Sequence, residues 1–226
     1  MAASYTVESF AQLRRPLTLE TWVAYFVASW LISFSPGAGA ISCMAAGLRF
    51  GLRRAMWNIV GLIAGIMFVL LIVAVGLGAL LATSTVAFAF VKWLGVAYLV
   101  WLGVQQWRAP AIAIDTDAAA NELAGSPRQL LLRGFLVNAT NPKGIVFMLA
   151  VFPQFIDPAR PQFVQYLICG ATTMFTDAVV MVGYTGFAAR VLRLLRGPGQ
   201  VRLLNRMFGG LLVAMAALLA MFKRAT

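Results

Sequence analysis

No histidine occurs anywhere in the 226 residues. Metal centres built on imidazole and histidine proton relays are therefore excluded. Cysteine is nearly absent as well: Cys43 and Cys169 lie far apart, each inside an apolar segment, where a reduced and packed thiol is the common state. Charge is equally thin, since only 11% of the residues are Asp, Glu, Lys or Arg and just 7 residues are acidic. A soluble domain of this length would need far more polar surface to cover itself.

What fills the chain instead is 62% hydrophobic residues, gathered in runs that approach or exceed the roughly 20 residues needed to cross a bilayer core of about 30 Å. Hydropathy predicts spans near 20–47, 56–82, 86–107, 131–155, 162–189 and 206–222. Ahead of them, residues 1–17 carry Glu8, Arg14 and Arg15 and are expected to be retained as a signal anchor. The longest polar interval, 109–130, holds Pro110, Asp115, Asp117, Glu122, Gly125, Ser126 and Pro127 and reads as a cytoplasmic linker. It separates residues 1–108, a first three-helix repeat with its N-terminal extension, from residues 131–226, a second repeat, within one integrated membrane domain.

A net charge of +11 would raise the question of nucleic acid in a soluble protein. Here the basic residues sit in the gaps between apolar spans, so they act as topology signals near a lipid bilayer and no nucleic-acid partner is expected. With the amino terminus outside, the inner loops hold Arg49, Arg53, Arg54, Arg108, Arg128, Arg133, Arg190, Arg193, Arg196, Arg202 and Arg206, 11 of the 18 basic residues. The outer face keeps Arg14, Arg15, Lys92, Arg160, Lys223 and Arg224. That bias favours both termini outside.

Three spans per half require any repeat between the halves to be inverted. Ser35-Pro36-Gly37 interrupts the first span and Asn141-Pro142-Lys143 the fourth at a comparable depth. Serine or asparagine before proline matches a helix start, the side chain capping free amides while proline takes the first helical position. The expected fold is an all-α membrane protein of six transmembrane helices, two inverted three-helix repeats with helices 1 and 4 broken at Pro36 and Pro142. The positive ends of the two new half-helices would then meet near the midplane and favour an anion. Two ordinary proline kinks are the alternative.

Asp177 falls near the middle of the fifth span, where a charged carboxylate costs about 2.5 to 3.5 kcal/mol on insertion scales. A proton, the ammonium of a bound substrate, or Lys143 could offset that cost; the first two together describe a proton-coupled amine site, the third a structural ion pair. Lys143, too deep to reach headgroups easily, is expected to face a substrate carboxylate or to exchange protons with Asp177. Lys92 beside Trp93 reads as an interfacial, snorkelling lysine, and Trp22 and Trp107 as belt residues. Gly61, Gly65, Gly76, Gly78, Gly95, Gly103, Gly209 and Gly210 supply small surfaces for close helix packing. The candidate substrate-binding set is thus Ser35, Pro36, Gly37, Asn141, Pro142, Lys143 and Asp177, with Asp177 coupling the proton.

In order and spacing, Ser35-Pro36-Gly37-Ala38-Gly39-Ala40-Ile41, Lys92-Trp93-Leu94-Gly95, Leu102-Gly103-Val104-Gln105-Gln106-Trp107-Arg108, Asn138-Ala139-Thr140-Asn141-Pro142-Lys143, Phe152-Pro153-Gln154-Phe155 and Thr176-Asp177 resemble the lysine-exporter (LysE) type of amino-acid efflux family, within it the homoserine-exporting branch. The resemblance spans nearly the whole chain. It implies export of a small neutral amino acid (homoserine, homoserine lactone or threonine) by proton antiport across a bacterial inner membrane, with no cofactor, and it leaves a homodimer open. Much of the family has a second proline where this chain has Ala38. Export of leucine or a basic amino acid, or passive flux through the same cavity, are the alternatives. An intramembrane hydrolase would need an activated nucleophile or paired aspartates, and only one aspartate lies within the spans, so no enzyme activity is expected. A thiol relay is disfavoured because Cys43 and Cys169 occupy non-equivalent positions in the two halves.

Overall fold

The computed structural model describes residues 17–83, 85–109, 125–188 and 198–221. The signal anchor, most of the linker, and Arg190, Arg193, Arg196, Lys223 and Arg224 lie outside the described residues. Among the described residues the elements are helical without exception. Helix α1, Leu19–Phe34, opens at Thr18, whose hydroxyl accepts from the Thr21 amide at 3.2 Å, with Glu20 in the first turn beside the positive end of the helix. It stops at Ser35, held extended (φ −67°, ψ 113°) because the ring of Pro36 disfavours helical geometry in the residue before it.

Helix α2, Ala38–Thr83, is two helices joined at Gly51, whose φ of 76° and ψ of 165° belong to a region that only glycine enters without strain. Segments 38–50 and 52–83 therefore turn into one another through a single residue, where hydropathy had left a loop between 47 and 56. Helix α3 runs over Thr85–Arg108 and α4 over Pro127–Ala139. A capping box starts α4: the Ser126 hydroxyl accepts from the Gln129 amide and the Gln129 side chain accepts from the Ser126 amide, both at 3.3 Å. Residues 127–130, expected in the linker, are thus the first turn of a helix.

Helix α5, Pro142–Val146, is followed by a π-helical turn at Phe147–Val151 and a 3-10 turn at Phe152–Phe155. Helix α6 spans Gln162–Gly186, and α7 spans Pro198–Met221, starting well before the expected 206.

Among the described residues, three helical stretches are long and apolar enough to cross a membrane: Ala38–Gly76, Gln162–Gly186 and Gly199–Met221. The pair Pro127–Ala139 and Pro142–Phe155, bent by 52°, makes a fourth if counted as one span. Large apolar side chains such as Val27, Leu71, Val75, Phe90 and Phe163 point outward, while Tyr25, Phe147, Phe152, Leu99 and Met215 pack inside. An apolar exterior around an apolar core is the arrangement of a multi-pass membrane protein, with lipid on the outside.

The most extensive helix contacts run from α2 to α4 and α6, from α3 to α7, and from α1 to α6. Each joins the part of the chain before residue 110 to the part after 124. Glycine permits the closest of them. A Cβ on Gly61 would run into the Leu131 carbonyl oxygen, and one on Gly134 into that of Asn58, so segment 52–83 and α4 approach backbone to backbone. A Cβ on Gly103 would lie 2.8 Å from the Gly209 carbonyl oxygen, and one on Gly209 2.6 Å from that of Gly103. Gly76 breaks the expectation: nothing lies within 4 Å of where its Cβ would be. Two buried asparagines cross the same α2–α4 seam, Asn58 donating to the Leu130 carbonyl at 3.2 Å and Asn138 to that of Leu62 at 2.8 Å.

Candidate functional site

Ending α1 inside an apolar run leaves carbonyls that apolar surroundings cannot satisfy. The chain supplies donors for them from distant elements. The Leu31 carbonyl accepts from the Ser35 amide at 3.2 Å, and the Phe34 carbonyl from the Tyr184 hydroxyl at 2.7 Å. The Lys143 ammonium donates to the Ile32 carbonyl at 3.1 Å and also to the Ser35 carbonyl. A cation at the negative end of a helix is favourably placed, and here it ties the second break to the first.

The helix after the first break starts at Ala38, with the Gly37 carbonyl accepting from the Ile41 amide at 3.1 Å. Ser35 closes α1 and does not cap the next helix, a correction to the serine-proline reading: Pro36 and Gly37 both pass before helical geometry resumes at Ala38. The second break follows the expectation at its start. Asn141 is extended (φ −69°, ψ 111°), its side-chain oxygen accepts from the Lys143 amide at 3.1 Å, its carbonyl accepts from the Ile145 amide at 2.9 Å, and Pro142 is the first helical residue. The half-helix it opens keeps α-geometry for only five residues before widening.

Asp177, midway along α6, accepts a hydrogen bond from the Ser33 hydroxyl at 2.5 Å. It makes no salt bridge with Lys143, whose ammonium is taken up by the two carbonyls of α1. One helical turn before Asp177, the Thr173 hydroxyl shares a 2.6 Å hydrogen bond with the hydroxyl of the fully buried Tyr25. The carboxylate is thereby fixed from α1 while one oxygen is left for another partner.

A cavity of about 470 Å³, its mouth included, collects these groups. Ser35, Gly37, Asn141, Lys143 and Asp177 line it; Pro36 and Pro142 do not, and act only by breaking the helices. Its other polar lining, Ser33, Asn138 and Thr173, was not singled out in the sequence, and neither were Gly39 and Gly144, which keep two walls bare. Asn138 stands three residues before Asn141, across the second break, and that nearness to the expected cap was a signal for the first of these. Ile66, Met148 and Met181 complete an apolar wall. A second, wider cavity of about 1230 Å³, open on one side, is lined by Trp101, Gln105, Gln106 and Arg108, and Ser35 and Lys143 border both.

One carboxylate and one ammonium facing one cavity, close enough to share its lining yet unpaired, form a complement to a zwitterion. In so dry a setting each charge is worth more to a ligand than it would be in water. Among the described residues no three His, Cys, Asp or Glu side chains cluster as metal ligands.

The Lys92 ammonium donates to the Ala220 carbonyl at 2.9 Å, at the end of α7, and lies 5.6 Å from the Trp93 ring. Trp22 turns inward in part, its indole donating to Thr172 at 3.1 Å, whereas Trp107 is half exposed. Cys43 and Cys169 are both free and buried, and Cys43 packs on Met181 with 3.6 Å between the sulfurs.

Comparison with known proteins extends the picture from the site to the whole chain. The family model described as LysE type translocator matches residues 30–222. The homoserine/homoserine lactone efflux protein of Salmonella typhimurium is 47% identical over 209 residues, which cover 92% of this chain and 100% of that protein. An uncharacterized membrane protein of Vibrio cholerae is 41% identical over the same shares of the two chains. The leucine efflux protein of an Enterobacter species is 28% identical over 89% of this chain and 95% of its own. No solved structure matches significantly.

Proposed function

We propose, since the chain belongs to the LysE type translocator family, that it exports a small neutral amino acid across the bacterial inner membrane in exchange for protons. Homoserine, homoserine lactone and threonine are the substrates put forward. The observation that carries the reading is the cavity where the Lys143 ammonium and the Asp177 carboxylate stand unpaired between the two helix breaks.

In this reading the substrate carboxylate lies against Gly37 and Lys143, drawing the ammonium of Lys143 from the Ile32 and Ser35 carbonyls. The substrate ammonium lies against Asp177, beside the Ser33 hydroxyl. A proton and the substrate ammonium then compete for one carboxylate, which couples them: substrate leaves outward as a proton takes its place, and the proton is lost inward before the next substrate enters. The zwitterion carries no net charge, so each cycle moves one positive charge inward, worth about 2.3 kcal/mol per 100 mV. A lactone lacks the carboxylate but keeps the amine for Asp177 and offers a carbonyl to Lys143.

The fold proposed for this activity has six spans in two inverted repeats, residues 1–108 and 131–226, joined by the linker 109–130 on the cytoplasmic side. Span one is α1 with segment 38–50, span two is segment 52–83, and span three is α3. Spans four to six are α4 with residues 142–155, then α6, then α7. The pairing supports it. Segment 52–83 packs on α4 as α6 packs on α1 and segment 38–50, and α3 packs on α7 through the reciprocal glycines. Exchanging the halves maps each contact onto another.

The purified protein in proteoliposomes, offered labelled homoserine, threonine, leucine and lysine under an imposed pH gradient, tests the proposal. Saturable, gradient-dependent flux of homoserine is expected. Flux that ignores the gradient removes the proton from the mechanism, and flux that follows voltage without saturating makes the cavity a channel.

A further inference from the structure

The cavity holds one polar atom for which neither the helix breaks nor the charge pair has a use. Asn138, in the last turn of α4, is buried, and its side-chain nitrogen donates to the Leu62 carbonyl at 2.8 Å. That bond fixes the orientation of the amide, since a carbonyl at that distance demands the nitrogen. The oxygen therefore faces the other way, into the cavity that Asn138 lines. It accepts from the Asn141 side chain at 3.3 Å, and an amide oxygen has a second lone pair.

Its surroundings leave that lone pair approachable. The oxygen would lie 3.9 Å from a Cβ on Gly39 and 4.0 Å from one on Gly144. Glycine at both positions keeps a side chain off the oxygen, in a space that Leu62, Met181 and Ile66 border. The remaining wall on this side, Ile66 and Met181, is apolar. A substrate with its carboxylate at Lys143 and its ammonium at Asp177 can turn its side chain toward two bare glycines, methyl-bearing walls and the Asn138 oxygen. Methylenes followed by one hydrogen-bond donor fill that chemistry. A side chain that ends in a methyl group leaves the second lone pair unused, and one that ends in a carboxylate or an amide oxygen meets it with repulsion.

We infer that Asn138 is the specificity-determining residue that reads the hydroxyl of a hydroxylated amino-acid side chain. This rests on the exporter reading and adds to it the reason why a hydroxylated substrate is chosen over an aliphatic one of equal size. A site built to bond a hydroxyl rejects the analogue lacking it far more strongly than a greasy pocket rejects an extra methylene.

The test compares homoserine with norvaline, which puts a methyl where homoserine has its hydroxyl, in proteoliposomes of the intact protein. The wild type is expected to favour homoserine about five- to tenfold in kcat/KM, the effect of one further hydrogen bond made or not made. Asn138→Leu is expected to bring the ratio to about one while norvaline transport persists. A wild type that takes the two equally, or an Asn138→Leu or Asn138→Ala variant that keeps the preference, overturns the inference. The wild-type ratio and the smaller alanine variant keep the test decisive if the leucine variant fails to fold. A wild type that moves neither compound defeats the exporter reading first, and so separates the two failures.

Discussion

Replacing Asp177 by asparagine removes one charge and almost nothing else. The two side chains have nearly the same shape, and the Ser33 hydroxyl, 2.5 Å from the carboxylate, can donate equally to an amide oxygen. The cost of holding a carboxylate deep in the apolar layer, about 2.5 to 3.5 kcal/mol on insertion scales, disappears. The variant should therefore insert, and resist unfolding, at least as well as the wild type. What it loses is attraction for the substrate ammonium. Two unit charges about 4 Å apart at an effective dielectric of 20 attract by about 4 kcal/mol, and a neutral amide restores about 1 kcal/mol as an ordinary hydrogen bond. The net of about 3 kcal/mol corresponds to a KM for homoserine roughly a hundredfold higher. Coupling should vanish with it. A single charge per cycle supports about fifty-fold accumulation at 100 mV in the wild type, whereas the variant should equilibrate substrate without concentrating it. Labelled homoserine in proteoliposomes, followed at several concentrations with and without a pH gradient, gives both numbers, and a thermal melt in detergent gives the control. A KM within threefold of wild type together with undiminished accumulation would refute the argument that Asp177 holds both proton and amine.

The glycines provide a paired test: Gly61→Ala drives a methyl into the Leu131 carbonyl and should cost about 1 to 3 kcal/mol or more of stability. Gly76→Ala meets nothing and should be neutral or stabilising by up to about 1 kcal/mol, both read by detergent melts. Gly51→Ala has open space around it yet a forbidden backbone, so a loss of about 1 to 3 kcal/mol is expected, and an unchanged melt would mean that the turn can relax. Ser126→Ala removes the capping box of α4 and should cost about 1 kcal/mol in the same measurement, without altering KM. The double variant Cys43→Ala, Cys169→Ala should retain full transport, since the thiols are buried, unpaired and outside the cavity lining; abolished flux in a stable double variant would restore a redox role.

The sequence carried its clearest information where one residue type has one physical use. Pro36 and Pro142 marked the helix breaks because an imino nitrogen cannot continue a helix, and the Asn141 cap followed from its neighbour. Lys143 and Asp177 stood out because charge in an apolar run demands a partner, but the partners themselves were not legible: Ile32, Ser35 and Ser33 were chosen by folding, from a span more than a hundred residues away. The same holds for Lys92, whose acceptor is a carbonyl on α7. Hydropathy placed a break between 47 and 56 but not its tightness, because the turn is made by Gly51 alone and the flanking residues stay helical. Gly76 and Gly61 look alike in sequence; only the element packed opposite decides which of them is pressed against a backbone.

Because almost all of the extensive packing crosses between residues before 110 and residues after 124, each portion of the chain is the other's mould. Neither portion has much of an interior of its own: separated, both would present glycine-lined furrows and buried asparagines to lipid. A polypeptide severed within 110–124 should accordingly yield two fragments that are degraded when made singly and rescue each other when made together. Motion during a cycle is constrained in the same way, because prising the portions apart would dismantle the very surfaces that give them shape. Sliding along the seams, or swinging of the short segments at the two breaks, is the kind of movement that such an interlocked body permits.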